Sequence, residues 1–150
     1  MRAKVGGLYR DAYLKHYDAI ASAAAADNPA RARVYQSSRS LAEHMGDEPP
    51  ILILACSDRP GGGLDPGRMA GASIFPAIQN LMLAARALGL GTCLTTIHQH
   101  NETQIKEYLG IPENVDTYAL IPLGYPAGNF GPLTRKPASE VTYVDHWGKS

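Results

Sequence analysis

Apolar residues recur at helical spacing from the first positions of the chain. Val5, Leu8, Tyr9, Ala12, Tyr13 and Ile20 fall three or four residues apart, or multiples of that, which predicts an amphipathic helix over residues 3–25. Asp27-Asn28-Pro29 breaks it. Val34, Ser38, Leu41, Ala42 and Met45 form a second stripe that ends near Gly46. Pro49-Pro50 then leads into Ile51–Cys56, ILILAC, a continuous apolar run of the kind found in a strand covered on both faces. Arg59–Gly71 is dense in glycine and proline and reads as a surface loop.

The next stretch is the most unusual. From Ile74 to Leu88 nearly every side chain is apolar or small, which predicts a helix buried on all sides. Gln79, Asn80 and Arg86 interrupt it, and buried polar groups must find partners. Gly89 and Gly91 end the helix, and Thr92–Thr96 reads as a short core strand. Asn101 is placed to cap a short helix, with Gln104 at the capping-box position, Glu102 and Lys106 paired at i,i+4, and Gly110 closing it. Thr117–Leu123 is the last core strand, followed by an extended tail with a final strand around Val141–Val144.

Composition narrows the function classes. The 150 residues fit a single domain, 1–150, and 14 basic residues balance 14 acidic ones. Neither sign is concentrated, so no footprint for nucleic acid or for a membrane surface is found. No span is long and apolar enough for a transmembrane helix, and the N-terminus lacks an apolar signal core, which makes the cytoplasm the expected location. Cys56 and Cys93 both fall in predicted strands and read as buried free thiols without a catalytic role. Gly61-Gly62-Gly63 does not have the spacing of a phosphate-binding loop. His98 and His100 sit at a strand-to-helix turn and read as solvent-exposed side chains rather than metal ligands.

Three segments carry a resemblance. SxxPAxQNLxLAARALGLGTxLTT over residues 73–96, LGIPENVDTYALIPLGYP from Leu109 to Pro126, and GPLTRKPASEV from Gly131 to Val141, with Trp147-Gly148 beyond, are similar in content and order to the FMN-dependent nitroreductase family. The resemblance implies an α+β fold: a three-layer α/β/α sandwich, its central mixed or antiparallel sheet flanked by helices, with an extended C-terminal arm. Members of that family usually begin with an Arg-Ser/Thr-x-Arg clasp for the FMN phosphate and a Pro-Ser-x-x-Asn loop against the flavin. Neither is present here, and Met1–Tyr17 resembles the helix that follows them, so the chain reads as shortened at its front.

The implied chemistry belongs to the cofactor. FMN would take a hydride from NAD(P)H and pass it to a nitroaromatic, a quinone or a similar conjugated small-molecule acceptor, so no side-chain acid or base is expected. The implied assembly is a homodimer whose tails wrap the partner. By the same resemblance Arg135, held between Pro132 and Pro137, would grip the FMN phosphate, for which a guanidinium fork is suited. Pro76, Ala77 and Gln79 would start the flavin-side helix, while Gln79 and Asn80 serve equally well to satisfy neighbouring core backbone. Thr95 and Thr96 match the position where a backbone N–H bonds the hydride-accepting ring nitrogen, although strand propensity alone accounts for the residue type. Gly124 would permit close backbone approach. The alternative is a non-catalytic remnant that keeps the core and the dimer surface but does not retain FMN.

Overall fold

Three strands, β1 (Ile51–Asp58), β2 (Gly91–Thr92) and β3 (Val115–Gly124), form an antiparallel sheet in the order β1-β3-β2. The computed structural model describes residues 1–26, 28–58, 71–132 and 135–149. Helices α1 (Arg2–His16), α2 (Asp18–Ala25) and α3 (Pro29–His44) precede the sheet, α4 (Gly71–Ala87) lies between β1 and β2, and α5 (Glu102–Leu109) lies between β2 and β3. Single 3-10 turns cover Ile97–Asn101 and Ala138–Glu140.

Strand alternation divides the core into two layers. On one face Leu120 of β3, with Leu52 and Leu54 of β1, packs against Val5, Tyr9 and Tyr13 of α1 and against Ala42 and Met45 at the end of α3. On the other, Ala119 and Ile121 of β3, with Ile53 and Ala55 of β1, meet Ile78, Ile74 and Met82 of α4. The run ILILAC is therefore apolar throughout because each face has its own layer of helix. Each large side chain buried in this way contributes about 1.5–3 kcal/mol.

The helix ends follow local chemistry. Asn28 Oδ1 accepts from the N–H groups of Ala30 and Arg31, and Pro29 occupies the first helical position of α3. After α4, Gly89 takes φ 80°, Leu90 N–H donates to Ala85 O at 2.9 Å and Gly89 N–H to Arg86 O at 3.1 Å. That is a complete Schellman closure. Gly110, at φ 69°, ends α5 in the same way, with Ile111 N–H donating to Lys106 O.

Several expectations are corrected. The helix predicted over residues 3–25 is two helices that break at Tyr17, because α2 turns to pack on α3, where Arg39 bonds Asp18 at 3.1 Å. Ile20 and Val34 are consequently exposed. The helix expected to be buried on all sides buries only Ile78 and Ala85; Leu83 and Leu88 are 57% and 76% exposed, as are Gln79, Asn80 and Arg86 in large part. The sheet covers one face of α4, and Phe130 lies under the Arg86 guanidinium, its ring centroid 4.0 Å from Cζ. Thr92–Thr96 is not a continuous strand: β2 stops at Thr92, and Cys93 is exposed rather than buried. Val141–Val144 pairs with no strand among the described residues and follows a 3-10 turn, leaving Val144 and Trp147 exposed. The loop expected over 59–71 lies outside the described residues, except for Gly71, which opens α4.

Candidate functional site

The short β2 sets the geometry of the segment that follows it. Gly91 pairs with Gly124 and Thr92 with Leu123, after which the chain leaves the ladder and returns at Thr95, bridged to Leu120. Thr95 is fastened three times. Its N–H donates to Leu120 O at 3.1 Å, its carbonyl accepts from Leu120 N–H at 2.9 Å, and its hydroxyl donates to the same Leu120 O at 2.8 Å. Tyr9, fully buried in α1, lies beside it; burial pushes the phenol up to about 12, partly offset by the Thr95 hydroxyl.

His98 is the second anchor, and it is wholly buried rather than exposed as its turn position suggested. Glu102 Oε1 accepts from both Thr117 N–H at 2.8 Å and the Thr117 hydroxyl at 2.7 Å. The hydroxyl proton is thus committed to the carboxylate, so Thr117 Oγ1 must accept from His98 Nε2–H at 3.1 Å. Burial lowers the His98 imidazole to about 4, with Glu102 opposing the shift, so the ring is neutral near pH 7 and carries its single proton on Nε2. Nδ1 is left as a buried acceptor with no partner among the described residues, which costs about 1–3 kcal/mol.

Neighbouring residues hold the same turn. Gln99 Nε2 donates to Thr117 O at 3.1 Å, and Asn101 Nδ2 donates to Leu8 O at 2.7 Å. Asn101 therefore ties the turn to α1 and does not cap α5 with its side chain. Glu102 faces Thr117, and Lys106 donates to Glu113 O at 3.0 Å, in place of the expected Glu102–Lys106 pair. His100 stacks on His16 with centroids 4.2 Å apart and meets the Tyr17 hydroxyl at 2.9 Å.

Between these anchors lies Thr96. It is exposed, with φ −125° and ψ 0°, and its N–H has no partner among the described residues. Thr95 cannot offer the same group, because its N–H is taken by Leu120. Pro76, Ala77 and Gln79 surround Ile78 on the exposed side of α4, and Ile78 packs on Ala119 and Ile121, the two neighbours of the residue that Thr95 bridges. The threonine pair and the middle of α4 thus share one stretch of β3; Pro76, Ala77 and Gln79 do not start the helix, which begins at Gly71 and carries Pro76 inside it. Gln79 and Asn80 are exposed, and neither has a side-chain partner among the described residues. Arg135 is exposed on the segment after β3.

A separate cleft of about 280 Å³ opens between Glu48-Pro49-Pro50 and the ends of β2 and β3, with Cys93 and Tyr125 on its wall. Gly124 is the one predicted site residue that lines it. A Cβ at Gly124 would lie 2.7 Å from Pro50 Cδ, so the glycine admits the close approach of Pro50. The cleft is too small to enclose a whole flavin mononucleotide. Thr96, an exposed residue whose N–H has no partner among the described residues, and the exposed Arg135 are of the donor types that a ring nitrogen and a phosphate require. His98, Thr117, Glu102 and Tyr9 escaped the sequence reading. The i,i+4 spacing of His98 and Glu102, with one threonine in an otherwise apolar strand, was the available signal.

Comparison with known proteins agrees with this architecture. A relative from Methanothermobacter thermautotrophicus, named "Putative NADH dehydrogenase/NAD(P)H nitroreductase", is 36% identical over 89 residues, 58% of this chain and 46% of the relative. The chain spans about half the length of that relative or less, and 30% of a second relative of the same name from Archaeoglobus fulgidus. Among solved structures, Bacillus (B.) megaterium NfrA2 superposes with a TM-score of 0.63 at 20% identity, covering 75% of this chain and 54% of that one. Oxidised iodotyrosine deiodinase bound to FMN and 3-iodo-L-tyrosine gives 0.61 at 16% identity, covering 99% and 72%. At these identities the two structures speak for the fold alone. No described helix is long and apolar enough to cross a membrane. The family profile described as "Nitroreductase family" matches residues 8–125, which takes in α1, the sheet, α4 and the Thr95–Glu102 turn, and the chain belongs to the nitroreductase family.

Proposed function

We propose that this chain is an FMN-dependent oxidoreductase domain, 1–150, that works in the cytoplasm as a homodimer. Its reaction would move a hydride from NAD(P)H to a nitroaromatic, quinone or similar conjugated acceptor. The observation that carries the reading is the unpartnered Thr96 N–H, exposed and held between two fastened neighbours in a chain of this family.

When bound, FMN supplies the hydride chemistry. Thr96 would offer its N–H to the flavin ring, and Thr95 would keep that donor still through its three bonds to Leu120. Arg135 would offer its fork to the phosphate, and the exposed Gln79 an amide from the middle of α4. The exposed Leu83 of α4, the exposed Leu88 just beyond it, and the exposed Val144 and Trp147 of the tail are suited to cover a second copy. A second subunit would also supply walls that the 280 Å³ cleft lacks.

A second reading is a remnant that keeps the core and dimer surface but holds no flavin. It is favoured by the small cleft. Titration of the purified chain with FMN, followed by quenching of flavin fluorescence, separates the two. Saturable binding weakened by Arg135→Ala supports the oxidoreductase; a folded chain that leaves the fluorescence unchanged supports the remnant.

A further inference from the structure

The segment that follows β3 folds back over β2. Phe130 lies under the guanidinium of Arg86, in the last turn of α4, with Cζ 4.0 Å from the ring centroid. The edge of the same ring rests against Gly91, its Cζ 3.5 Å from where a Cβ would stand, and Pro126 approaches that point equally closely. No backbone hydrogen bond holds residues 126–132 among the described residues. A cation over a ring face is attractive, so the Arg86–Phe130 pair is a fastening in a stretch that lacks backbone ones. Arg86 is exposed, Phe130 is 51% exposed, and neither belongs to the two core clusters. Burial alone does not account for the pair.

We infer that the Arg86–Phe130 clasp is a tether that keeps Arg135 close to the flavin site of its own chain. Arg86 and Phe130 are positioning residues, acting through Arg135 and not by touching the cofactor. Arg135 comes five residues after Phe130 but ten after Tyr125, the first residue beyond β3. With the clasp closed, five residues hold Arg135 within about 17 Å of Phe130. Gly91, on which Phe130 rests, and Thr95 are joined to Gly124 and Leu120, which lie four residues apart on β3, or about 14 Å. The Thr95–Thr96 pair therefore falls inside the span of the short tether. Opening the clasp doubles the free length from five residues to ten. Effective concentration falls roughly as the −3/2 power of tether length, so the guanidinium becomes about threefold more dilute at the site. This inference rests on the proposed grip of Arg135 on the FMN phosphate and adds the residues that keep it within reach.

The test compares FMN with riboflavin, which lacks the phosphate, in fluorescence-quenching titrations of the whole chain. Phe130→Leu removes the ring face but keeps every charge. It should weaken FMN binding about threefold and leave riboflavin binding unchanged. Phe130→Tyr keeps a ring face for the guanidinium and should restore FMN affinity. Arg86→Met opens the clasp from the other side and should match Phe130→Leu. In an Arg135→Ala background neither change should cost anything more, because the tether then carries no fork. Equal weakening of both flavins, no weakening of either, or a loss that persists without Arg135 overturns the tether and leaves the flavin function standing. FMN binding indifferent to Arg135→Ala overturns the phosphate role and the tether with it. A folded chain that binds neither flavin overturns the function itself.

Discussion

Gly6 of α1 and Gly46, just beyond α3, meet backbone to backbone. A Cβ built on Gly6 would overlap the Gly46 backbone and lie 2.9 Å from the Met45 carbonyl carbon, whereas one built on Gly7 meets nothing within 4 Å. Neighbouring glycines in one helix therefore respond oppositely to the same change. Gly6→Ala is expected to destabilise by about 1–3 kcal/mol through overpacking, despite alanine's better helix propensity. Gly7→Ala should stabilise by about 0.5–1 kcal/mol. Urea unfolding of both variants decides; equal effects of one sign would mean that the helices can separate freely.

Stability should fall in mild acid because of His98. Its imidazole ionises near 4 in the folded chain against 6.5 when unfolded, so the unfolded chain binds the extra proton as pH drops. The contribution is fully present above pH 6.5 and is lost progressively between 6.5 and 4. It amounts to about 2 kcal/mol between pH 7 and pH 5. His98→Gln, which has nothing to titrate, should flatten this part of the stability profile. An unchanged slope in that variant would show that His98 protonates as readily folded as unfolded.

The uncovered face of α4 predicts association. Leu83 is 57% exposed and touches neither core cluster, so Leu83→Glu should leave the monomer fold intact and shift sedimentation velocity from dimer to monomer at micromolar concentration. Dimers that persist in the variant would place the contact elsewhere, with the exposed Trp147 as the next residue to change.

Thr117 is expected to be the most sensitive polar position of the sheet. Thr117→Val leaves the His98 donor without its acceptor and removes one of the two Thr117 donors to Glu102, at a cost of about 1–3 kcal/mol, although the two side chains have nearly the same shape. Thr117→Ser keeps the hydroxyl and should cost much less. Thermal melts of the pair separate the bond from the methyl group.

Much of the fold was legible because it depends on local periodicity. ILILAC announced a strand with two covered faces, and Asn28-Pro29, Gly89 and Gly110 announced helix ends that are formed by the bonds their residue types predict. What failed was any reading that assumed the environment. The apolar sequence of α4 fixes what the helix prefers to contact, not whether this chain supplies the contact, so Leu83 and Leu88 look like core residues and are exposed. His98 failed in the other direction. Its burial depends on Thr117, 19 positions away in another element, and no local pattern encodes that meeting. Thr95 and Thr96 show the same limit: they read alike in the sequence, but Leu120 takes the N–H of Thr95 and not that of Thr96.

Strand order carries a consequence for handling the protein. β1 is an eight-residue edge of the sheet, paired only with β3 among the described residues, and its first six residues are apolar. Its other side offers a row of backbone donors and acceptors to any extended chain, which is the template from which cross-β aggregates grow. Pro49 and Pro50 at one end and Asp58 at the other act as gatekeepers: neither proline can donate to an added strand, and the carboxylate opposes stacking of identical copies. Replacing them would convert a guarded edge into a seed for fibrils.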